Sequence, residues 1–322
     1  MTTPHIRDFR DQRVHMIGIG GSSMSGLAGM LVKLGVRVTG SDSARSYTTD
    51  ALEQSGIHVF IGQRAENVDG ADIVIYSAAI AKSNPERVRA EELGIPQMER
   101  ATLLGQLMEG YRHAVNVCGT HGKTTTTSMI AEVMVDTGFD PTVHIGGQLD
   151  YIGGSTRVGG HDSFVVEACE FNASFLHFHP TIAVVTNIEA DHLDHYGTIE
   201  NLEKTFGQFM DSVGPEGHVV ACGESERVRR VAAASSANVV LYGMAGEGEF
   251  DYVCTPEPSH HSIESHLVVT TPSGVAVRVT IKATPGRHNM LNATAAIAVA
   301  DVLGLDVEKA AKALSTFAGV KR

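Results

Sequence analysis

Apolar residues in the first third of the chain fall into short β-branched runs separated by stretches with helical spacing. RVHMIGI (13–19) reads as a strand, and GGSSMSGLAGMLVKLG (20–35) as a glycine turn opening a helix. VRVTGSD, IHVFIG and ADIVIYSAAI supply three more strands, with helical patterns in TTDALEQSG and NPERVRAEELG. Strands alternating with helices of this length predict βαβ units and a parallel sheet. The helical ATLLGQLMEG then leads out, which places a domain boundary near Glu109–Tyr111.

The same grammar restarts at HAVNVCGTHGKTTTTSMIAEVMVDTG (113–138): strand, glycine turn, helix. DSFVVEACE, TIAVVTNIEADH, HVVACGES and ANVVLYG are near-continuous apolar runs, as strands covered on both faces require. After Cys254 the texture changes to alternation, and HLVVTTPSGVAVRVTIKA predicts an antiparallel hairpin turning at TPSG. GRHNMLNATAAIAVADVLGL and DVEKAAKALSTFAG close the chain as helices.

Composition narrows the function. At 322 residues the chain can build two sizeable cores, and 43% hydrophobic against 19% charged residues excludes a disordered protein. The charge balance is 25 − 37 = −12. That surface repels nucleic acid and anionic membranes, so neither is an expected partner, and an anionic ligand must be held by a local device. Cys118, Cys169, Cys222 and Cys254 lie far apart without metal-ligand spacing. With no signal peptide at the polar N-terminus, this usage fits a reducing cytoplasm. The His260, His261 and His266 group reads as a solvated loop in preference to a metal site.

The most specific motif is the strand–turn–helix VNVCGTHGKT. Backbone N–H groups at such a turn, with the helix dipole behind them, form an anion site. Lys123 can reach terminal phosphates, and Thr124 has the hydroxyl expected on Mg²⁺. The pattern departs from G-x-x-x-x-G-K-[ST], because Val117 stands at the first glycine position. Ligands of open α/β sheets gather beyond the carboxyl ends of strands. There the sequence puts Glu167 and Glu170 after one strand, and Asn187, Glu189, Asp191 and His192 after another. Glu167 is the first-choice metal ligand. Glu170 and Asp191 read equally well as solvated loop carboxylates, and Asp194 and His195 as having no special role.

The opening Gly18, Gly20, Gly21, Ser22, Ser23 and Met24 approximate the dinucleotide fingerprint, with Ser23 at the last glycine position and Asp42 ending the next strand. The signal fits any diphosphate-bearing ligand, whether NAD, FAD or a UDP-sugar, and also fits plain turn glycines. The expected fold is α/β. It comprises an N-terminal Rossmann-like parallel-sheet domain (1–110) and a central P-loop ATPase-like α/β domain with an antiparallel hairpin (111–322).

Taken together, HMIGIGGSSMSGLA, GSD at Asp42, SAAI with Asn84-Pro85-Glu86, GTHGKTTTT, EACE, TNIEADHLDHY and GRHNMLNATAA resemble the Mur ligases. These are ATP-dependent enzymes that build the peptide of the bacterial cell-wall precursor. The motifs occur in the family's order and span nearly the whole chain. His121 and the GIGG–MSG start are similar to members that join L-alanine to UDP-N-acetylmuramate.

The resemblance implies that Gly119, Thr120, His121, Gly122, Lys123, Thr124 and Thr125 bind ATP, with Mg²⁺ at Thr124, Glu167 and His192. It implies adenine contacts at His288 and Asn292. It also implies a UDP diphosphate at Gly18 to Ser25, with Asp42 and Ser77 nearby. Lys123, Glu167 and His192 are the expected catalytic set; Lys204 has no warrant as a metal-bridging lysine. Family members carry a third domain that delivers the amino acid, so this chain is expected to bind nucleotide without ligating. A recycling member that attaches a preformed tripeptide to the same UDP-sugar remains open. An NAD-dependent oxidoreductase is the rival of another class, and it leaves GTHGKTTTT without a role.

Overall fold

The computed structural model describes residues 5–258 and 263–321. It separates into two compact units, one running to Glu109 together with Ser155–Val158, the other comprising Gly110–Gly154 and the chain from Gly159 onward. His260 and His261 lie outside the described residues. His266 is on a strand, with Nδ1 3.1 Å from Thr280 Oγ1.

The first unit contains β1 (Arg13–Ile17), α1 (Ser22–Lys33), β2 (Arg37–Asp42), α2 (Tyr47–Gln54), β3 (His58–Ile61), β4 (Ile73–Tyr76), α3 (Pro85–Glu92), β5 (Gln97–Glu99) and α4 (Arg100–Met108). Its strands are all parallel, in the order β3-β2-β1-β4-β5. On the central β1, Val14, His15, Met16 and Ile17 are all buried, the signature of a strand covered on both faces. The order reverses direction at β1, so the turn after this strand sits at the switch point where such sheets bind ligands.

The second unit contains β6 (His113–Cys118), α5 (Lys123–Asp136), β7 (Thr142–Leu149), β8 (Gly154–Arg157, most of which groups with the first unit), β9 (Ser163–Glu167), β10 (Ile182–Val185), α6 (Leu193–Tyr196) and α7 (Ile199–Asp211). It continues with β11 (His218–Cys222), α8 (Glu226–Ala233), β12 (Asn238–Met244), β13 (Tyr252–Glu257), β14 (Ser265–Thr270), β15 (Ala276–Ile281), α9 (Arg287–Val302) and α10 (Val307–Thr316). The sheet order runs β15-β14-β13-β12-β11-β10-β6-β9-β7. Pairing is parallel around β6 and becomes antiparallel at β13-β14-β15, where the sequence predicts its hairpin.

One core of this unit joins Val115 and Val117 of β6 to Met129, Ile130 and Met134 of α5 and to the small residues Ala293, Ala295, Ala296 and Ala298 of α9. Alanines around α9 allow close approach of helix and sheet. A second layer stacks Phe175 on Phe209, with ring centroids 4.8 Å apart. Among the described residues, no helix is long and apolar enough to cross a membrane.

Candidate active site

β6 ends at Cys118, and the chain turns through Gly119 and Gly122 before α5 begins at Lys123. Gly119 has φ +135°, and a Cβ there would lie 2.1 Å from Thr186 Oγ1, so no side chain fits. Gly122 takes the left-handed conformation, φ +85°, directly before the helix. The loop after β10 holds the turn in shape. Thr120 N–H donates to Asn187 O at 3.2 Å, and His121 N–H to Asn187 Oδ1 at 2.8 Å. Asn187 Nδ2 and Thr186 Oγ1 donate back to His121 O, at 3.0 and 2.6 Å. The N–H groups of Thr120 and His121 are therefore used in shaping the turn. The donors still open to a ligand are those of the first turn of α5, where Lys123, Thr124 and Thr125 have no preceding helical carbonyl to satisfy them.

Lys123 folds toward the turn, its ammonium 2.5 Å from Gly119 O and 3.1 Å from Thr120 O. The same ammonium is 3.0 and 2.9 Å from the two oxygens of Glu170. Glu170 is only 3% exposed, which removes the reading of it as a solvated loop carboxylate. A carboxylate this deep needs a cation, and Lys123 supplies it. Thr124 Oγ1 donates to Glu167 Oε1 at 3.0 Å, and Gly146 N–H on β7 donates to Glu167 Oε2 at 2.8 Å. A Cβ at Gly146 would stand 2.9 Å from that carboxylate, so the glycine makes room for it.

His192 is at left-handed φ +52°; its Nε2 lies 4.0 Å from Glu170 Oε1 and its Nδ1 3.8 Å from Asp191 Oδ1. The ligand atoms of Glu170, Asp191 and His192 fall within 4.8 Å of one another. Glu167 is not in that group, so Thr124–Glu167 and Glu170–Asp191–His192 form two oxygen-rich clusters sharing Lys123's neighbourhood. Hydroxyl and carboxylate oxygens are the donors a hard divalent ion takes, so the Thr124–Glu167 pair fits Mg²⁺. Burial pushes the Cys118 thiol well up, with Glu170 adding to the effect, which disfavours the thiolate that a nucleophile requires. Tyr196, whose hydroxyl donates to the Glu170 carbonyl, is pushed up to about 12, chiefly by burial. Asn292 on α9 approaches Gly122, where a Cβ would lie 3.1 Å from Asn292 Oδ1. His288 is exposed at the start of the same helix.

In the first unit, Gly18 and Ile19 both donate their N–H groups to Ser41 O, at 2.8 and 3.0 Å. Gly20 N–H donates to Asp42 Oδ2 at 2.9 Å, and α1 starts at Ser22. Ser77 follows β4 and accepts the N–H of Ile80 at 2.9 Å. Arg100, at the start of α4, donates to Ser23 Oγ at 2.9 Å and so brings a guanidinium to this turn.

Residues 13–112 match the Mur ligase family, catalytic domain, and residues 117–300 match the Mur ligase middle domain. The chain belongs to the Mur ligase family. It is 43% identical over 311 residues to the UDP-N-acetylmuramate–L-alanine ligase of Acetivibrio thermocellus, covering 97% of this chain and 66% of that one. The Caldanaerobacter subterraneus protein of the same name is 42% identical over 97% of this chain and 67% of its own length. This Mur ligase chain thus spans about two-thirds of the length of these relatives. Its fold superposes on UDP-N-acetylmuramate-alanine ligase from Thermotoga maritima with a TM-score of 0.82 at 31% identity, covering 96% of this chain and 69% of that one. It superposes on the UDP-N-acetylmuramate:L-alanyl-gamma-D-glutamyl-meso-diaminopimelate ligase of Neisseria with a TM-score of 0.86 at 29% identity, covering 97% and 99%.

Three residues of this Mur ligase escape a reading of the sequence alone: Glu170 as the buried partner of Lys123, Gly146 as the seat of Glu167, and Arg100 at the first glycine turn. Only Gly146 has a legible signal, since paired glycines inside an apolar run mark a close approach.

Proposed function

We propose that this Mur ligase chain carries the carboxylate-activating part of a UDP-N-acetylmuramate–L-alanine ligase. Residues 111–322 take ATP with Mg²⁺ at the second glycine turn, and residues 1–110 take the UDP diphosphate at the first. The observation that carries the reading is the first turn of α5. There Lys123 and the Thr124–Glu167 pair stand at the carboxyl end of a central strand. The 43% identity to the alanine-adding ligase supports L-alanine as the substrate.

When bound, Mg²⁺-ATP supplies the phosphoryl group that turns the muramate carboxylate into an acyl phosphate, which the amine of L-alanine can attack. The obstacle is that two anions must approach each other. Lys123, held by Glu170, would bring its ammonium to that point, and the N–H groups of Lys123, Thr124 and Thr125 would hold phosphate oxygens without reorganising. Thr124 and Glu167 would hold the metal, and His192, in the cluster with Glu170 and Asp191, would face the substrate carboxylate. Asn292 borders the turn from α9, and His288 is exposed near the start of the same helix; these two residues would meet the adenine. No side chain need act as a covalent nucleophile.

Residues 1–322 hold both glycine turns, so taken by themselves they are expected to bind nucleotide and UDP-sugar; whether they also form the amide is read from the same experiment. The test is calorimetry with ADP or ATP plus Mg²⁺, and with UDP-N-acetylmuramate, beside an assay of L-alanine-dependent phosphate release. Binding of both ligands is expected. Failure of nucleotide to bind would overturn the site. A second reading, addition of a preformed peptide to the same UDP-sugar, is favoured by the 0.86 TM-score to the Neisseria enzyme. Competition between L-alanine and the tripeptide in the full-length protein separates the two.

A further inference from the structure

Asn84-Pro85-Glu86, singled out in the sequence, has no part in the chemistry above. Asn84 caps α3 by accepting the N–H of Glu86 at 2.9 Å and that of Arg87 at 3.4 Å, with Pro85 preset for the first helical position. This fixes the two side chains that follow on different strand ends. Glu86 is fully buried, and its Oε2 accepts from Ser41 Oγ at 2.6 Å. Its Oε1 accepts from Asn67 Nδ2 at 2.5 Å, and His15 Nε2 stands 3.7 Å from Oε2.

Ser41 is the residue whose carbonyl receives the N–H groups of Gly18 and Ile19. Asn67 also donates to Gly62 O at 3.0 Å, and Gly62 N–H donates to the Asp42 carbonyl at 2.8 Å. Both hydrogen-bond arms of Glu86 therefore end on the segment Ser41-Asp42. Arg87 works from the other side. It donates to Ile80 O at 2.9 Å, and its guanidinium lies 3.7 Å from the centre of the Tyr76 ring. Ile80 Cδ1 in turn would be 3.6 Å from a Cβ on Gly18. Gly18 is thus held between two strand ends, each fastened by one side chain of the same helical turn.

We infer that Glu86 is a positioning residue for the first glycine turn, setting through Ser41 the backbone that receives the UDP diphosphate. The inference rests on the proposed assignment of UDP to this turn. Burial alone would push the Glu86 carboxyl up, but the nearby His15 ring and the hydrogen bonds from Ser41 and Asn67 hold it below the usual carboxylate range. It is therefore a charged acceptor, and a charge-assisted bond is stiffer and stronger than a neutral one.

The test titrates UDP and, separately, ADP with Mg²⁺ into the wild-type chain, Glu86→Gln, Ser41→Ala and the double variant, well below their melting temperatures. Each single variant is expected to weaken UDP binding about tenfold, the loss of one charge-assisted hydrogen bond. The double variant is expected to lose no more than the worse single, because both act through one bond. ADP affinity is expected to stay within about twofold, and the Gly18 and Ile19 amide resonances to shift in all three. A network that only stabilises the fold would lower the melting temperature and leave UDP affinity unchanged; that result overturns the inference. Parallel loss of ADP affinity, or strictly multiplicative losses, overturns it too. If the wild-type chain binds no UDP, the assignment of the turn itself falls, which the wild-type titration alone reveals.

Discussion

Both units set a glycine turn between the end of a parallel strand and the start of a long helix, yet they bring charge to it differently. At the second turn the cation belongs to the motif: Lys123 is the first residue of α5, and Glu170 fixes it from a neighbouring strand end. At the first turn the nearest carboxylate, Asp42, accepts Gly20 N–H, and the guanidinium of Arg100 arrives from a helix 77 residues further along. An anion site whose charge lies within the turn can be read from a short motif. One whose charge is delivered by the fold cannot.

The turns also differ in tolerance. Gly119→Ala combines a left-handed φ with a 2.1 Å approach to Thr186 Oγ1, so it is expected to cost about 4 kcal/mol in denaturant unfolding. A loss below about 1 kcal/mol would show that the second turn is not shaped this tightly. Next in size, Lys123→Ala should weaken ADP–Mg²⁺ binding about a hundredfold and leave UDP binding intact, by calorimetry. Equal weakening of both ligands would erase the distinction between the turns.

The buried glutamates sharpen the contrast between units. Glu132 on α5 is pushed up to about 7 by burial, with help from Asp136, against an ordinary value near 4.5. Between those values the folded protein keeps a proton that the unfolded chain releases. Stability therefore falls as pH rises through the window and levels off above it. Glu132→Gln is expected to stabilise by about 2 kcal/mol at pH 8 and not at all near pH 4.5, in urea unfolding at the two pH values. Glu86, held low, acts in the opposite sense: its contribution is present above the ordinary value and is lost as pH falls through the lowered one. The smallest effect expected is Gly20→Ala, at about 1 kcal/mol. Its Cβ would meet the movable end of Asp42 at 2.8 Å, and its backbone is not left-handed.

Much of the fold was legible because both turns interrupt apolar runs with glycine and then begin helical spacing. Valine-rich strands such as 182–185 and the TPSG hairpin are of the same kind. The strand at 142–149 has no such signature, since Gly146 and Gly147 break its apolar pattern, and β5 is too short at three residues to make one. In the site, Lys123, Thr124 and Glu167 could be read from the motif and from strand ends. Glu170 could not, because it opens the segment 171–177, where Ala173 N–H donates to its carbonyl and Asn172 and Ala173 take left-handed φ values of 52° and 54°. No local pattern announces that conformation for alanine.

The most direct test of the whole account is amide hydrogen exchange of the chain with saturating ADP and Mg²⁺. Protection concentrated at Gly122–Thr125, with Gly18–Ser25 unchanged, is the expected result. Protection at Gly18–Ser25 with the start of α5 unaffected would contradict it.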